Sequence, residues 1–203
     1  MLTAIGDVMR KLYDNDWITT RDGNISLVKS NSKTFYITPS GWRKTIIHPE
    51  HILRMRMTNK SVLPKGKSNS TPSGELEMHF LLQKDFKGTR AIVHAHPTYT
   101  IACMLRGFDL GKVAKAFPEL SRYTRLGETV PVLPVTSKVL AVATAKAFKV
   151  DERGKVEYDI VGQAGHGVCS VAQDPWSAYE HIERLEHICK IVLVSGVKPS
   201  DFE

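Results

Sequence analysis

The sequence predicts a layered α/β or α+β domain, with helices packed on a sheet. Three observations predict it. Apolar residues near the N-terminus recur at helical spacing, the stretch from about 24 to 57 reads as short strands divided by turns, and the chain closes on a long amphipathic run behind a strong helix-start signal. Helices mixed with antiparallel strands belong to that class. At 203 residues the chain is long enough for one compact core, and a single domain over 1–203 is expected.

The first helix is carried by Ile5, Val8, Met9, Leu12 and Tyr13, which share one face. Asp22-Gly23 is a turn signal. NISLV and FYIT follow on either side of the break at Asn31-Ser32-Lys33, a pattern of two antiparallel strands. Pro39-Ser40-Gly41 is a further turn. Leu53, Met55 and Met57 alternate with Arg54 and Arg56, as in a half-buried strand. Positions 64–72 (PKGKSNSTP) read as a polar surface loop, after which Ser73 is placed to cap a helix through Leu76, His79, Phe80 and Leu82. Ala91-Ile92-Val93 reads as a buried strand, with strand and helix alternating beyond it. Asp174-Pro175 puts a cap residue before a first-turn proline, opening a helix through Tyr179, Ile182, Leu185, Ile188, Val192 and Leu193 that stops near Gly196.

Composition narrows the function classes. Hydrophobic residues make up 42% and charged residues 24%, ordinary for a globular protein. No run of ~18 apolar residues suits a membrane span. The N-terminal segment is amphipathic and acid-bearing, unlike a signal peptide. Cys103, Cys169 and Cys189 are scattered and odd in number, which argues against a disulfide framework and for a reducing, cytoplasmic setting. The net charge of +7 invites a nucleic-acid reading. The basic residues are spread out, however, with no zinc finger, basic helix or RNA-binding aromatic pattern, and a basic enzyme for anionic substrates accounts for them.

The chemistry concentrates in RAIVHAHP. If 92–96 is extended, His94 and His96 face the same way, because strand side chains alternate. Two such imidazoles can share a metal. His166 lies between Gly165 and Gly167, where the backbone can approach closely. Glu75, in TPSGE, sits at a helix start, where a carboxylate also favours the helix dipole. Three neutral nitrogens and one carboxylate suit Zn2+ with an exchangeable position, or with a carboxylate that leaves the metal to act as a base. Three polar turns offer donors to a phosphate: Gly23-Asn24, Ser40-Gly41 and Ser73-Gly74. His79, one turn beyond Glu75, is a candidate supporting residue. His48, His51, His181 and His187 read as structural or solvated, and the cysteines as packing residues.

The order DGNIS, ITPSG, PSGE, VHAHP and GHGV resembles the class II aldolase/adducin-type family over nearly the whole chain. The resemblance implies a three-layer α/β/α fold around a central, mostly antiparallel sheet. It also implies a homotetramer with active sites at subunit interfaces. It places one zinc per subunit on His94, His96 and His166, the catalytic glutamate on Glu75, and phosphate binding on Asn24, Ser40, Gly41, Ser73 and Gly74. Gly74 stands where many relatives carry a second hydroxyl. The proton-donor tyrosine supplied across the interface falls nearest Tyr123, with different flanking spacing. The implied activity is reversible aldol cleavage of a ketose 1-phosphate to dihydroxyacetone phosphate and a short aldehyde. A sugar-phosphate 4-epimerase or dehydratase on the same metal site, and a non-catalytic adducin-like interaction module, are the alternatives.

Overall fold

A computed structural model describes residues 1–63, 70–88 and 90–202. Most of the loop expected at 64–72 therefore lies outside the described residues.

Among the described residues, six strands form one sheet. They are β1 (Asn24–Val28), β2 (Thr34–Ile37), β3 (Leu53–Arg56), β4 (Arg90–Ala95), β5 (Ile160–Gln163) and β6 (Gly167–Ala172). Their order is β3-β2-β1-β4-β6-β5, and every neighbouring pair is antiparallel. The edge strand β3 alternates buried and exposed residues, as its Leu-Arg-Met-Arg pattern predicts. Met57 falls beyond its end. Central β4 is buried throughout, because helices cover both of its faces.

Those helices make the outer layers. On one side α1 (Leu2–Asp14), α3 (Thr98–Leu105), α4 (Leu110–Ala116), α5 (Pro118–Tyr123) and α7 (Pro175–Ser195) pack on a core that includes Ala91, Val93 and Ala95. On the other, α2 (Leu76–Asp85) and α6 (Lys138–Ala147) pack on Ile92, Val161, Cys169 and Val171. The period-2 alternation of β4 thus divides its side chains between two cores, and the fold is the three-layer α/β/α arrangement. All three cysteines are free and buried. Among the described residues, no helix is long and apolar enough to cross a membrane.

Two local expectations are corrected. Beyond β4, strand and helix do not alternate: α3 to α6 follow one another before the β5–β6 hairpin. The valine-rich stretch between α5 and α6 contains Pro131 and Pro134, which cannot donate to a ladder, and among the described residues this segment meets β5 through two isolated parallel bridges, Leu126 to Ile160 and Val130 to Gln163. Helix α2 also starts later than Ser73 suggested. Its N-cap position is Glu75, and the Ser73 hydroxyl instead accepts from the Glu75 N–H at 3.2 Å.

The predicted cap of α7 is present. Asp174 accepts from the N–H groups of Trp176 (2.9 Å) and Ser177 (3.1 Å), and Gly196 closes the helix in the left-handed region at φ 77°. Asp174→Ala is expected to cost about 1 kcal/mol of folding stability, read as a lower urea midpoint with an unchanged slope. The buried carboxylate of Glu186 on the same helix accepts from the Tyr99 and Thr100 N–H groups and the Thr100 hydroxyl at 2.7–2.8 Å. It satisfies the first turn of α3, directly after the His96-Pro97 corner, and so fixes how the chain leaves the histidine pair.

Candidate metal centre

Register brings the site together. In the β1–β4 ladder Asn24 pairs with His94, and in the β4–β6 ladder His94 pairs with Cys169. His94 is thus held at the centre of the sheet, on the face of β4 that Ile92 shares with α2 and α6. His96 lies just past the end of β4, tied by its N–H to the Trp17 carbonyl at 2.8 Å. His166 sits in the turn joining β5 to β6. Gly165 takes φ 66° there, and a Cβ on Gly167 would stand 2.3 Å from the Ala95 carbonyl oxygen and 2.8 Å from the His96 ring. The two glycines are therefore what lets His166 reach β4.

The three imidazoles offer nitrogens that all lie within 4.8 Å of one another. The Nε2 atoms of His94 and His96 are 3.0 Å apart. Ligands around a tetrahedral ion with ~2.0–2.1 Å bonds stand ~3.3 Å apart, so this spacing suits a shared cation. His94 Nδ1 lies 2.9 Å from the Val168 carbonyl oxygen. A carbonyl only accepts, so Nδ1 carries the proton and Nε2 presents its lone pair. His166 Nδ1 is buried and lacks a hydrogen-bond partner. Burial holds all three rings in the neutral, ligating form: it pushes His94 well below the usual histidine range, lowers His96 and brings His166 down to about 4. The donor set fits one divalent metal with nitrogen preference.

Glu75 lines the same cavity but stands outside the nitrogen cluster. Its Oε1 accepts from the Thr136 N–H at 3.1 Å, and burial raises its carboxyl pKa above the ordinary value. Thr136 holds that N–H in place from a left-handed backbone, φ 57°, an unusual conformation for a β-branched residue and one that stores strain beside the site. The same side chain fills the room next to Gly74, where a Cβ would meet the Thr136 methyl at 3.2 Å.

The cavity, about 320 Å³, also gathers the polar turns expected to hold phosphate: Asn24, Ser40, Gly41, Ser73 and Gly74. Asn24 is oriented by a buried relay. Gln83 donates to the Ser26 hydroxyl (2.8 Å), Ser26 lies 2.6 Å from His79 Nδ1, and His79 Nε2 lies 2.5 Å from the Asn24 side-chain oxygen. That occupies the amide oxygen and leaves the amide NH2 as a donor. His79 is fully buried and held neutral, its pKa lowered to about 3 by burial. The sequence offers His79 only as a supporting residue; the structure places it behind Asn24.

One cation in the cavity was missed. Lys44 is 2% exposed, and its Nζ donates to the Pro39 carbonyl at 3.2 Å. Burial, partly opposed by Asp22, lowers its pKa to about 8. Nothing in GWRKT distinguishes this lysine from the chain's other basic residues; only its burial does.

The Class II Aldolase and Adducin N-terminal domain matches residues 3–193. The chain belongs to this family. The chain is 26% identical over 190 residues, 94% of each chain, to an L-fuculose phosphate aldolase of Methanococcus maripaludis. It is also 26% identical over 199 residues, 94% of this chain and 89% of the relative, to a methylthioribulose-1-phosphate dehydratase of Alcanivorax borkumensis. Among solved structures, an L-fuculose 1-phosphate aldolase superposes with a TM-score of 0.73 at 25% identity, covering 96% of this chain and 85% of that one. A sugar-phosphate aldolase from Thermotoga maritima shares the fold with a TM-score of 0.76 at 21% identity, over 98% and 97% of the two chains.

Tyr123 stands apart from this class II aldolase-type cavity within its own chain. It ends α5, half exposed, with the guanidinium groups of Arg122 and Arg184 5.4 and 5.6 Å from its ring centre. His181 is structural, its Nδ1 lying 3.0 Å from the Thr124 hydroxyl, and His187 is exposed.

Proposed function

We propose that the chain is a zinc-dependent aldolase that reversibly cleaves a ketose 1-phosphate, such as L-fuculose 1-phosphate, to dihydroxyacetone phosphate and a short aldehyde. The observation that carries this reading is a three-imidazole cluster beside a buried carboxylate that belongs to neither the cluster nor an ion pair. His94, His96 and His166 hold the cation, one per subunit. The cation supplies an electrophile for the negative charge that develops on a substrate oxygen as a neighbouring C–C bond breaks.

The rest is done by the chain's own groups. Glu75, with its pKa raised by burial and its orientation set by Thr136, moves the proton to and from the substrate carbon. Asn24, Ser40, Gly41, Ser73 and Gly74 bind the phosphate through N–H and hydroxyl donors, and Lys44 adds a buried positive charge. The proton for the aldehyde oxygen comes from a tyrosine of another subunit. Tyr123, exposed on its own chain, fills that role in a homotetramer whose sites lie at subunit interfaces. The whole of 1–203 acts as one such domain in the cytoplasm.

The reading is tested by a metal-replete screen of ketose 1-phosphates, with release of dihydroxyacetone phosphate as the readout. Purified protein that neither carries nor tightly takes up a divalent ion defeats it. The match to a methylthioribulose-1-phosphate dehydratase favours a second reading, loss of water from a related sugar phosphate. Consumption of substrate with release of water and no aldehyde decides for it.

Lys44 gives a prediction with a pH sign. Below about 8 it is protonated and attracts the phosphate; above that value the charge is lost. The wild-type kcat/KM should therefore fall as pH rises through about 8. Lys44→Met should raise KM about tenfold with a smaller change in kcat, and should remove that alkaline limb. A retained limb would mean that another group titrates there.

A further inference from the structure

A second cavity, about 600 Å³, opens at the other end of the sheet. Arg90, at the start of β4, lines it. Arg90 and His94 are four residues apart on the same strand face, so the two sites are ~13 Å apart along the sheet. The proposed aldolase chemistry uses none of the groups in this second cavity.

Five basic side chains line it, Lys87, Arg90, Arg125, Arg153 and Lys155, against one carboxylate, Asp159. That carboxylate is already taken. Arg125 Nε donates to it at 3.0 Å, Nη2 makes a second contact, and the Arg125 N–H adds a third at 2.8 Å. Among the described residues, Lys87, Arg90, Arg153 and Lys155 make no ion pair. Arg90 is 7% exposed. Its Nη1 and Nη2 donate to the Gly88 and Gln83 carbonyls, while its Nε is buried without a partner. Burying an arginine against carbonyls alone is costly unless an anion completes its surroundings.

The turn that carries two of these cations is held in place. The Asp151 carboxylate accepts from the backbone N–H groups of Arg153 (2.9 Å) and Lys155 (2.8 Å), so its charge is spent inside the turn. Gly154, at φ 77°, lets the turn close on the end of α2, where the Lys87 N–H donates to the Gly154 carbonyl at 3.0 Å. The walls between the cations are mixed: Phe86, Val156 and Val171 are apolar, Gln173, Ser177 and His181 polar, and the Arg90 guanidinium lies 5.8 Å from the Phe86 ring centre. Unpaired cations around a cavity of this size, with apolar and hydrogen-bonding walls, match a phosphate group carrying an organic body. Cations gathered around one recess, rather than spread along the surface, favour a small molecule over a polymer, which would need a basic stripe.

We propose that this cavity binds a multiply charged, phosphate-bearing small molecule of nucleotide size, at a site separate from the metal centre. Calorimetric titration with adenosine 5′-diphosphate and with inorganic phosphate tests it in three proteins: the wild type, Arg153→Glu/Lys155→Glu and Lys44→Met. The first variant changes only exposed side chains, so its fold should survive, and an unchanged melting temperature checks that. Saturable diphosphate binding is expected in the wild type. It should weaken about tenfold in the double charge reversal, stay within about twofold in Lys44→Met, and exceed the binding of inorganic phosphate. Equal binding in the wild type and the double reversal overturns the proposal. So does loss of binding in Lys44→Met, which would place the ligand at the metal-side turns. Tighter binding of a single-stranded oligonucleotide than of the diphosphate overturns it as well, in favour of a polymer on the basic surface.

Discussion

Replacing His94 with alanine should empty the metal site and abolish turnover. Of the three imidazoles it is the most deeply buried, 1% exposed, and its orientation is fixed by the Val168 carbonyl and by register pairs on both sides of β4. Alanine leaves two imidazoles, of which His96 lies beyond the strand end and His166 in a turn. Losing a hydrogen-bond partner behind a ligand typically costs ~10–100-fold in metal affinity, and losing the ligand itself should cost more. The fold should survive, because the histidine lies at a strand end where β4 meets the cavity and the two apolar cores do not depend on it. Metal content by elemental analysis, with circular dichroism as the check on folding, reads this out. His187→Ala, on the exposed side of α7, is the control and should keep full metal. A His94→Ala protein with wild-type metal content would show that the cluster is not the site.

Glu75→Gln should separate catalysis from metal binding. The amide keeps the shape and can still accept from the Thr136 N–H through its oxygen. It cannot take up a proton. Because the carboxylate stands outside the nitrogen cluster, the metal should remain bound while turnover falls by ~10²–10⁴. Full activity in the variant would rule Glu75 out as the base, and loss of metal would make it a ligand. Stability adds an independent reading. Burial raises the Glu75 pKa, so the ionised side chain opposes folding. That penalty is absent below the ordinary carboxyl pKa and complete once pH exceeds the raised one. In metal-free protein the variant should match the wild type at low pH and become the more stable of the two as pH rises.

Much of this site was legible because its signals are local. The alternation that puts His94 and His96 on one side of a strand depends only on the period of an extended chain, and AGHGV states in five residues that a backbone must approach closely at His166. Asp174-Pro175 marked the last helix for the same reason: capping is an affair of three or four residues. The order of motifs then pointed to the family and its layered fold. The residues between α5 and α6 were not legible in this way. Their apolar composition reads as strand material, but their prolines limit the pairing with β5 to isolated bridges and keep them out of the sheet.

What the sequence by itself determined was the donor set of the metal site, the glutamate beside it and the turns that border it. The tertiary structure alone decided which groups complete them. Lys44 became a candidate phosphate-binding cation because folding buries it, His79 an orienting residue because α2 packs it behind Asn24, and Thr136 the holder of Glu75 from 61 positions away. The physical reason is the same in each case. Metal ligands are chosen by donor chemistry, which a residue carries wherever it stands, whereas a shifted pKa or an oriented amide is a property of burial and of neighbours that the chain acquires only when its layers close.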